Sequence, residues 1–210
     1  MALYPIFLKL DGLKCLVIGG GKVALRKIVD LLDAGAKVTV VAPVFVDEIK
    51  ELASKIELVE RDFKRFDLEG MSIVVAATDS EHVNRLAHSE AKNRGIWINV
   101  VDSPELCDFF LPARTKIKGV EVAVSTLGKS PLAARLIRDL IRGAIKEEHL
   151  KLMEILSDIR KYLHSQVDDP KKREEFWEKF GASPLLEWAE KEQWDRIWEE
   201  AKSCGLRLQG

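Results

Sequence analysis

Apolar positions in the first hundred residues come in two alternating rhythms. Cys15-Leu16-Val17-Ile18 is a short continuous apolar run that ends in Gly19-Gly20-Gly21. Val23 to Ala34 then repeats apolar residues at helical spacing (Val23, Ile28, Leu31, Leu32), and Gly35 stops it. Lys37 to Val41 is a second strand, ended by Ala42-Pro43, with a helix predicted from Asp47 to Ser54 and a third strand from Ile56 to Val59. Ser72 to Ala77, Val83 to Asn93 and Trp97 to Val101 continue as strand, helix, strand. Unbroken apolar strands alternating with amphipathic helices predict an α/β domain whose parallel sheet is covered on both faces, a doubly wound Rossmann-type architecture.

After Pro112 the rhythm changes. Phe109 to Ile117 and Val120 to Ser125 predict two strands of a β-hairpin joined at Lys118-Gly119. A long helix is predicted to start at Ser130-Pro131, where Ser caps and Pro takes the first helical position. The same start recurs at Asp169-Pro170 and Ser183-Pro184, and everything from about Lys146 onward reads as helix. The expected division is a Rossmann domain over 1–113, a hairpin-plus-helix segment over 114–145, and a small all-helical C-terminal domain over 146–210.

Composition adds bounds. With 210 residues, 47% apolar and 32% charged, the chain is an ordinary globular protein, and its formal charge of −1 gives no whole-molecule field for nucleic acid. Cys15, Cys107 and Cys204 are an odd set without CxxC spacing, which argues against a disulfide framework or a zinc site and suits a reducing cytoplasm. The first ten residues lack the pattern of a signal peptide, and no apolar stretch approaches the roughly 20 residues that span a bilayer. A soluble protein with neither membrane nor nucleic-acid partners is expected.

The glycines supply the first chemistry. Gly19-Gly20-Gly21-Lys22-Val23-Ala24 satisfies G-x-G-x-x-G/A directly after a strand and at the opening of a helix. In that setting Gly19 permits the tight turn, Gly21 lets backbone N–H groups approach a pyrophosphate, and Ala24 allows close helix–strand packing. The pyrophosphate then rests on the positive end of the helix. The acid that grips a ribose 2′-OH, about 20 residues on, is missing: the stretch reads Val40-Val41-Ala42-Pro43-Val44, with no acid before Asp47. Backbone groups of Pro43 and Val44 are the alternative ribose contacts, and Lys22 would suit a 2′-phosphate, so these residues leave NAD versus NADP open.

Gly19 to Lys27 resembles the GGGxVAxRK signature of precorrin-2 dehydrogenases, the dehydrogenase/ferrochelatase part of siroheme synthases. Further similarities follow in order at Val38 to Pro43, Ala76-Ala77-Thr78-Asp79, Asn99-Val100-Val101-Asp102 and Phe109 to Pro112. Ser125 to Ala133 resembles the family's ST-x-GKSP-x-LA stretch, and Arg173 to Phe180 its RREFWEKF motif. The resemblance implies NAD as cofactor, NAD-dependent oxidation of precorrin-2 to sirohydrochlorin, and an intertwined homodimer with 114–145 as dimerisation segment. Some family members also insert Fe²⁺, as a substrate, to give siroheme. The methyltransferase part fused in some siroheme synthases has no counterpart in these residues.

Candidate site residues follow from the motifs and the resemblance together. Gly19, Gly21, Lys22, Val23, Pro43, Val44 and Thr78 are the cofactor set. Asp102 follows the fifth strand, where open α/β sheets place ligands, and the resemblance makes it the general base that takes a proton as hydride leaves. Its other reading is a turn starter before Ser103-Pro104. Asn99, three residues earlier, is a substrate-positioning candidate.

Residues 113–146 carry Arg114, Lys116, Lys118, Lys129, Arg135, Arg138, Arg142 and Lys146 against only Glu121 and Asp139. Arg135, Arg138, Arg142 and Lys146 would share one helix face, either as counter-charge for the polycarboxylate substrate that the resemblance implies or as a solvated surface. Gly128-Lys129-Ser130 is not a P-loop, because GxxxxGK[ST] would need glycine where Ala123 stands. It reads as a helix start with N–H groups near Thr126, Gly128 and Ser130 for a substrate carboxylate. His82, His88, His149 and His164 have no metal-ligand spacing, so no metal site is expected, and Trp177, Trp188, Trp194 and Trp198 read as packing. A reading of a different class remains beside the enzyme: a dimeric NAD-sensing module with the same turn and no chemistry.

Overall fold

The computed structural model describes residues 3–207, which form two compact units divided between Leu111 and Pro112. In the first unit, β1 (Lys14–Ile18), β2 (Lys37–Ala42), β3 (Glu57–Glu60), β4 (Ile73–Ala76) and β5 (Trp97–Val100) make one sheet in the order β3-β2-β1-β4-β5. Every pairing is parallel. Helices α1 (Lys22–Asp33), α2 (Asp47–Lys50) and α3 (Glu81–Arg94) complete the unit. The predicted α/β class and doubly wound sheet are borne out.

Alternation of side chains along a strand explains the two-sided burial. Cys15, Val17, Val38, Val40, Ile73 and Val75 face one layer, with Ala24, Ile28 and Leu31 of α1 and Ile49 of α2. Leu16, Ile18, Val41, Val74, Ala76, Ile98 and Val100 face the other, with Ala87 and Ala91 of α3. Both ends of α3 show why it forms where it does. The Ser80 hydroxyl accepts from the Val83 N–H, and Gly95 closes the helix at φ 66°. The helix predicted from Asp47 to Ser54 is regular only to Lys50; turns fill the rest.

The second unit opens with an antiparallel hairpin, β6 (Ala113–Ile117) and β7 (Val120–Val124). Lys118 and Gly119 have φ 39° and 91°, the left-handed pair that a tight two-residue hairpin turn requires. The first hairpin strand was expected from Phe109. It begins only at Ala113, because residues 107–109 are instead bonded along the free edge of β5: the Asp108 N–H donates to the Ile98 carbonyl at 2.8 Å and the Ile98 N–H to the Asp108 carboxylate at 3.1 Å.

Helices α4 (Pro131–Ala144), α5 (Glu147–Gln166), α6 (Pro170–Gly181), α7 (Leu185–Glu190) and α8 (Trp194–Ser203) follow. Ser130 and Asp169 cap as predicted. Ser183 does not: Pro184 takes the cap position of α7, and the Ser183 hydroxyl donates to Glu200 at 2.9 Å. Leu152, Ile159, Leu163, Phe176, Phe180, Trp188, Ile197 and Ala201 form the core of the helical part, with Trp177, Trp194 and Trp198 packed against it. The Phe176 and Phe180 rings stack at 5.5 Å.

Phe180 is fully buried in that core, so Phe180→Ala should cost about 3–5 kcal/mol of stability. Urea unfolding followed by tryptophan fluorescence checks this; a loss below about 1 kcal/mol would contradict the packing described.

Candidate functional site

The parallel register lines up the carboxyl ends of the strands. Ile18 stands opposite Val41 and Ala76, and Ala76 opposite Val100. Three further backbone bonds carry the alignment past the strand ends: Gly19 N–H to Val41 O, Ala77 N–H to Ile18 O, and Val101 N–H to Ala76 O, at 2.8–2.9 Å. Gly19, Pro43, Thr78 and Asp102 are therefore brought to one edge of the sheet. The strand order reverses between β1 and β4, which opens a crevice at that edge.

The three glycines of the turn do different work. Gly19 sits at φ 128°, and a Cβ there would collide with the Ala77 carbonyl. A Cβ on Gly20 would collide with the Val44 carbonyl, while the Gly20 carbonyl itself accepts from Val46 N–H at 2.9 Å. A Cβ on Gly21 would meet nothing within 4 Å. Gly21 is the N-cap of α1, with extended backbone, no side-chain cap on the helix and no acidic residue in its first turn. The protein itself thus demands glycine at 19 and 20, whereas at 21 the missing side chain leaves open space before uncapped helix N–H groups. That is the cradle a pyrophosphate fills, and the residues fit a bound dinucleotide. Ala24 is buried against the sheet as predicted; Lys22 is exposed and Val23 half-buried.

Pro43 and Val44 are exposed beyond β2. Thr78 is held from below: Asn84 Nδ2 donates to the Thr78 carbonyl at 3.0 Å, and Thr78 Oγ1 lies 3.0 Å from Asn84 Oδ1. Sequence reading missed Asn84, although a polar residue on the buried face of α3 was the available signal. Asn99 is equally buried at 7% exposure, and its Nδ2 donates to the Phe109 carbonyl at 2.9 Å. Cys107 completes this brace, accepting from Val100 N–H at 3.2 Å and lying within the same distance of the Val100 carbonyl. Burial pushes its thiol above the ordinary range. His88, on α3, lies 3.0 Å from the Leu106 carbonyl. Asn99 thus positions the loop that carries Asp102, and substrate contact through it gains no geometric support.

Asp102 is exposed and has φ 58°. Left-handed backbone on a non-glycine residue costs of order 1 kcal/mol or more and is common where function holds a side chain in place. The half-buried Lys27, on α1, feels the charges of Asp30 and Asp102; burial, the larger influence, pushes its ammonium below the usual lysine range. Lys27 was quoted in the glycine signature but given no role. No local sequence signal marked it, because its partial burial depends on how α1 packs.

The remaining candidates belong to the second unit. The Ser130 N–H donates to Thr126 Oγ1 at 3.1 Å, Thr126 Oγ1 to the Ser130 carbonyl at 2.9 Å, and Ser130 Oγ accepts from Ala133 N–H. Those hydroxyls are committed to starting α4. Gly128, at φ 81°, has open space around its Cα. Arg135 is exposed, and Arg138 bonds Asp139 at 2.7–2.9 Å. Lys146 does not share their helix: α4 ends at Ala144, and Lys146 is the residue before α5.

A parallel 3-2-1-4-5 sheet with this glycine turn defines a dinucleotide-binding protein of the Rossmann class. The NAD_binding_7 family model, described as "Putative NAD(P)-binding", matches residues 6–113, and the chain belongs to that family. The chain is similar to siroheme synthase of Methylococcus capsulatus, 41% identical over 97% of this chain and 44% of that protein. It is also similar to siroheme synthase of Ectopseudomonas mendocina, 42% identical over 85% of this chain and 38% of that protein. It thus spans less than half the length of these relatives. Among solved structures it is similar to SirC, a precorrin-2 dehydrogenase, with a TM-score of 0.69, 26% identity, and coverage of 90% of this chain and all of that one. The resemblance drawn from the motifs is borne out.

Ala at 20 and Ala at 21 should therefore separate folding from binding. Gly20→Ala should lower stability by about 1–3 kcal/mol through the forced contact with Val44. Gly21→Ala should leave the melting temperature unchanged and weaken NAD binding roughly tenfold or more, about 1.4 kcal/mol. Calorimetry of melting and of NAD titration reads both; equal effects of the two changes would refute the division.

Proposed function

We propose that the protein is a NAD-dependent precorrin-2 dehydrogenase that forms sirohydrochlorin for siroheme synthesis. The observation that carries this reading is an exposed carboxylate, Asp102, fixed in left-handed backbone on the same sheet edge as the glycine turn. Oxidation of the macrocycle removes one hydride and one proton. Bound NAD⁺ supplies the acceptor for the hydride. The first-turn N–H groups of α1 and the open space at Gly21 hold the pyrophosphate, Pro43 and Val44 border the ribose, and Thr78 lines the crevice. Asp102 takes the proton from the carbon skeleton onto a carboxylate oxygen. The brace of Asn99, Cys107 and Asp108 holds the two ends of the loop that carries Asp102, and the Lys27 ammonium on α1 feels the charge of that carboxylate. A sensing module would need no exposed carboxylate on that sheet edge. Arg135, Arg138 and Gly128 are the parts of the second unit assigned to substrate carboxylates.

Residues 114–145 are assigned to homodimerisation. Leu132, Leu136 and Leu140 recur every four residues on α4 and are 57%, 62% and 74% exposed, an apolar stripe that a monomer would leave in water. Free cysteines, two of them half-buried and Cys15 buried, fit a reducing cytoplasm.

Asp102→Asn is the sharpest test, because Asn tolerates the same left-handed backbone while losing the base. It should lower kcat about 100-fold or more with NAD affinity unchanged, measured by the absorbance change of precorrin-2 with NAD⁺. Normal turnover would remove Asp102 from the mechanism. Leu136→Glu should convert dimer to monomer without lowering the helix content; light scattering with circular dichroism reads both, and a persistent dimer would place the interface elsewhere.

A further inference from the structure

Within the second unit a groove of about 580 Å³ runs between α5 and α6, inside the roughly 300–1,000 Å³ range of small-molecule sites. From α5, Met153, Leu156, Arg160 and His164 line it, and from α6, Arg173 and Trp177. The α5 residues are spaced three or four apart, so one helix face supplies an apolar end and a basic end. On α6, Arg173 and Trp177 are four apart and repeat that pairing.

The charges are what make this groove unusual. None of the residues that line it is a carboxylate, in a chain with 34 acidic and 33 basic residues. Asp158, in the same stretch of α5, pairs with Lys161 at 2.8 Å. Arg173 is oriented by protein carbonyls: its Nη1 donates to Val167 O at 2.8 Å and Asp168 O at 3.1 Å, which fixes the guanidinium at the mouth of the α5–α6 loop. Guanidinium groups that converge without carboxylates match ligand carboxylates, which they can hold bidentately. The half-buried Trp177, with Met153 and Leu156, offers an apolar wall on which a flat ring system can lie.

We infer that the α5–α6 groove binds a planar, apolar ligand that carries carboxylates. Arg160, His164 and Arg173 hold the acid groups, and Trp177 takes the ring face. This rests on the proposed function in one respect: the tetrapyrrole acids of that reaction are the ligands of this class that the protein would meet. The role of the groove is recognition, and no bond is made or broken there.

Metal-free uroporphyrin, a stable planar tetrapyrrole polycarboxylate, is the probe, titrated by its absorbance into the full-length protein. Arg160→Glu with His164→Ala, both at exposed positions, should weaken binding at least tenfold or remove one class of sites, and Trp177→Ala should weaken it several-fold. Melting temperature and NAD affinity should stay at wild-type values in the Arg160/His164 variant. Affinity and site number unchanged in both variants would overturn the inference. So would full displacement of the porphyrin by millimolar inorganic phosphate, which would mark a plain anion site. The two readings fail separately. Wild-type turnover of precorrin-2 with variant-insensitive porphyrin binding sinks the groove alone. Absent turnover with variant-sensitive binding leaves the groove standing and sinks the dehydrogenase.

Discussion

Parallel strands cannot return on themselves, so each strand of the β3-β2-β1-β4-β5 sheet delivers its end to the same edge. Here the pairing of Ile18 with both Val41 and Ala76, and of Ala76 with Val100, fixes those ends to the same level. Everything chemical in the first unit follows from that register. A slip of one residue in β4 would turn Ala76 out of its core layer and carry the Ala77 carbonyl away from Gly19, where it now sets the requirement for glycine. The same slip would shift the Val101 N–H, bonded to the Ala76 carbonyl, and with it the start of the Asp102 turn. Core packing and site geometry are thus one constraint, enforced by the two apolar layers on either face of β1.

The open edge of β5 shows how a strained residue is kept in place. An edge strand presents unpaired N–H and C=O groups. Residues 107–109 take them up through the Asp108 backbone and carboxylate and the Cys107 thiol, while Asn99 reaches back to the Phe109 carbonyl. These bonds close the chain from 100 to 107 into a loop, within which Asp102 stands in left-handed backbone. His88 holds the same loop from α3 at the Leu106 carbonyl. Covering the edge and presenting the carboxylate are accomplished by one set of contacts.

Much of this was legible in the residue pattern. The strands and main helices of the first unit, the Lys118-Gly119 turn and the caps at Ser130 and Asp169 rest on local rules of periodicity, positive φ and capping, which need no knowledge of the rest of the chain. The glycine turn was legible as a motif, but the separate duties of Gly19, Gly20 and Gly21 were not, because they depend on carbonyls at Ala77 and Val44, far along the chain. Non-local partners account for the other differences as well. Phe109 to Pro112 has strand-like composition, yet residues 107–109 are claimed by β5. Lys146 continues the basic spacing of α4, yet α4 stops at Ala144 and a new helix starts. Lys27 was passed over because a lysine on a helix reads as solvent-facing until burial is known, whereas Asn84, in step with Ala87 and Ala91 on α3, left a signal that went unused.

A net charge of −1 conceals two physically different arrangements of positive charge in this protein. At the glycine turn no side chain supplies the charge; uncapped N–H groups at the start of α1 do, and their partial charges act only within the first turn. Such a site suits a compact pyrophosphate that can approach the backbone closely, and it works because Gly21 leaves the approach clear. The second unit instead carries guanidinium groups on side chains of α4, α5 and α6. That arrangement suits carboxylates distributed around a large ring, whose positions a backbone cradle could not match. The division follows from geometry: helix ends offer one fixed point, whereas residues three and four apart along a helix offer a line of charges spaced roughly 5–6 Å apart.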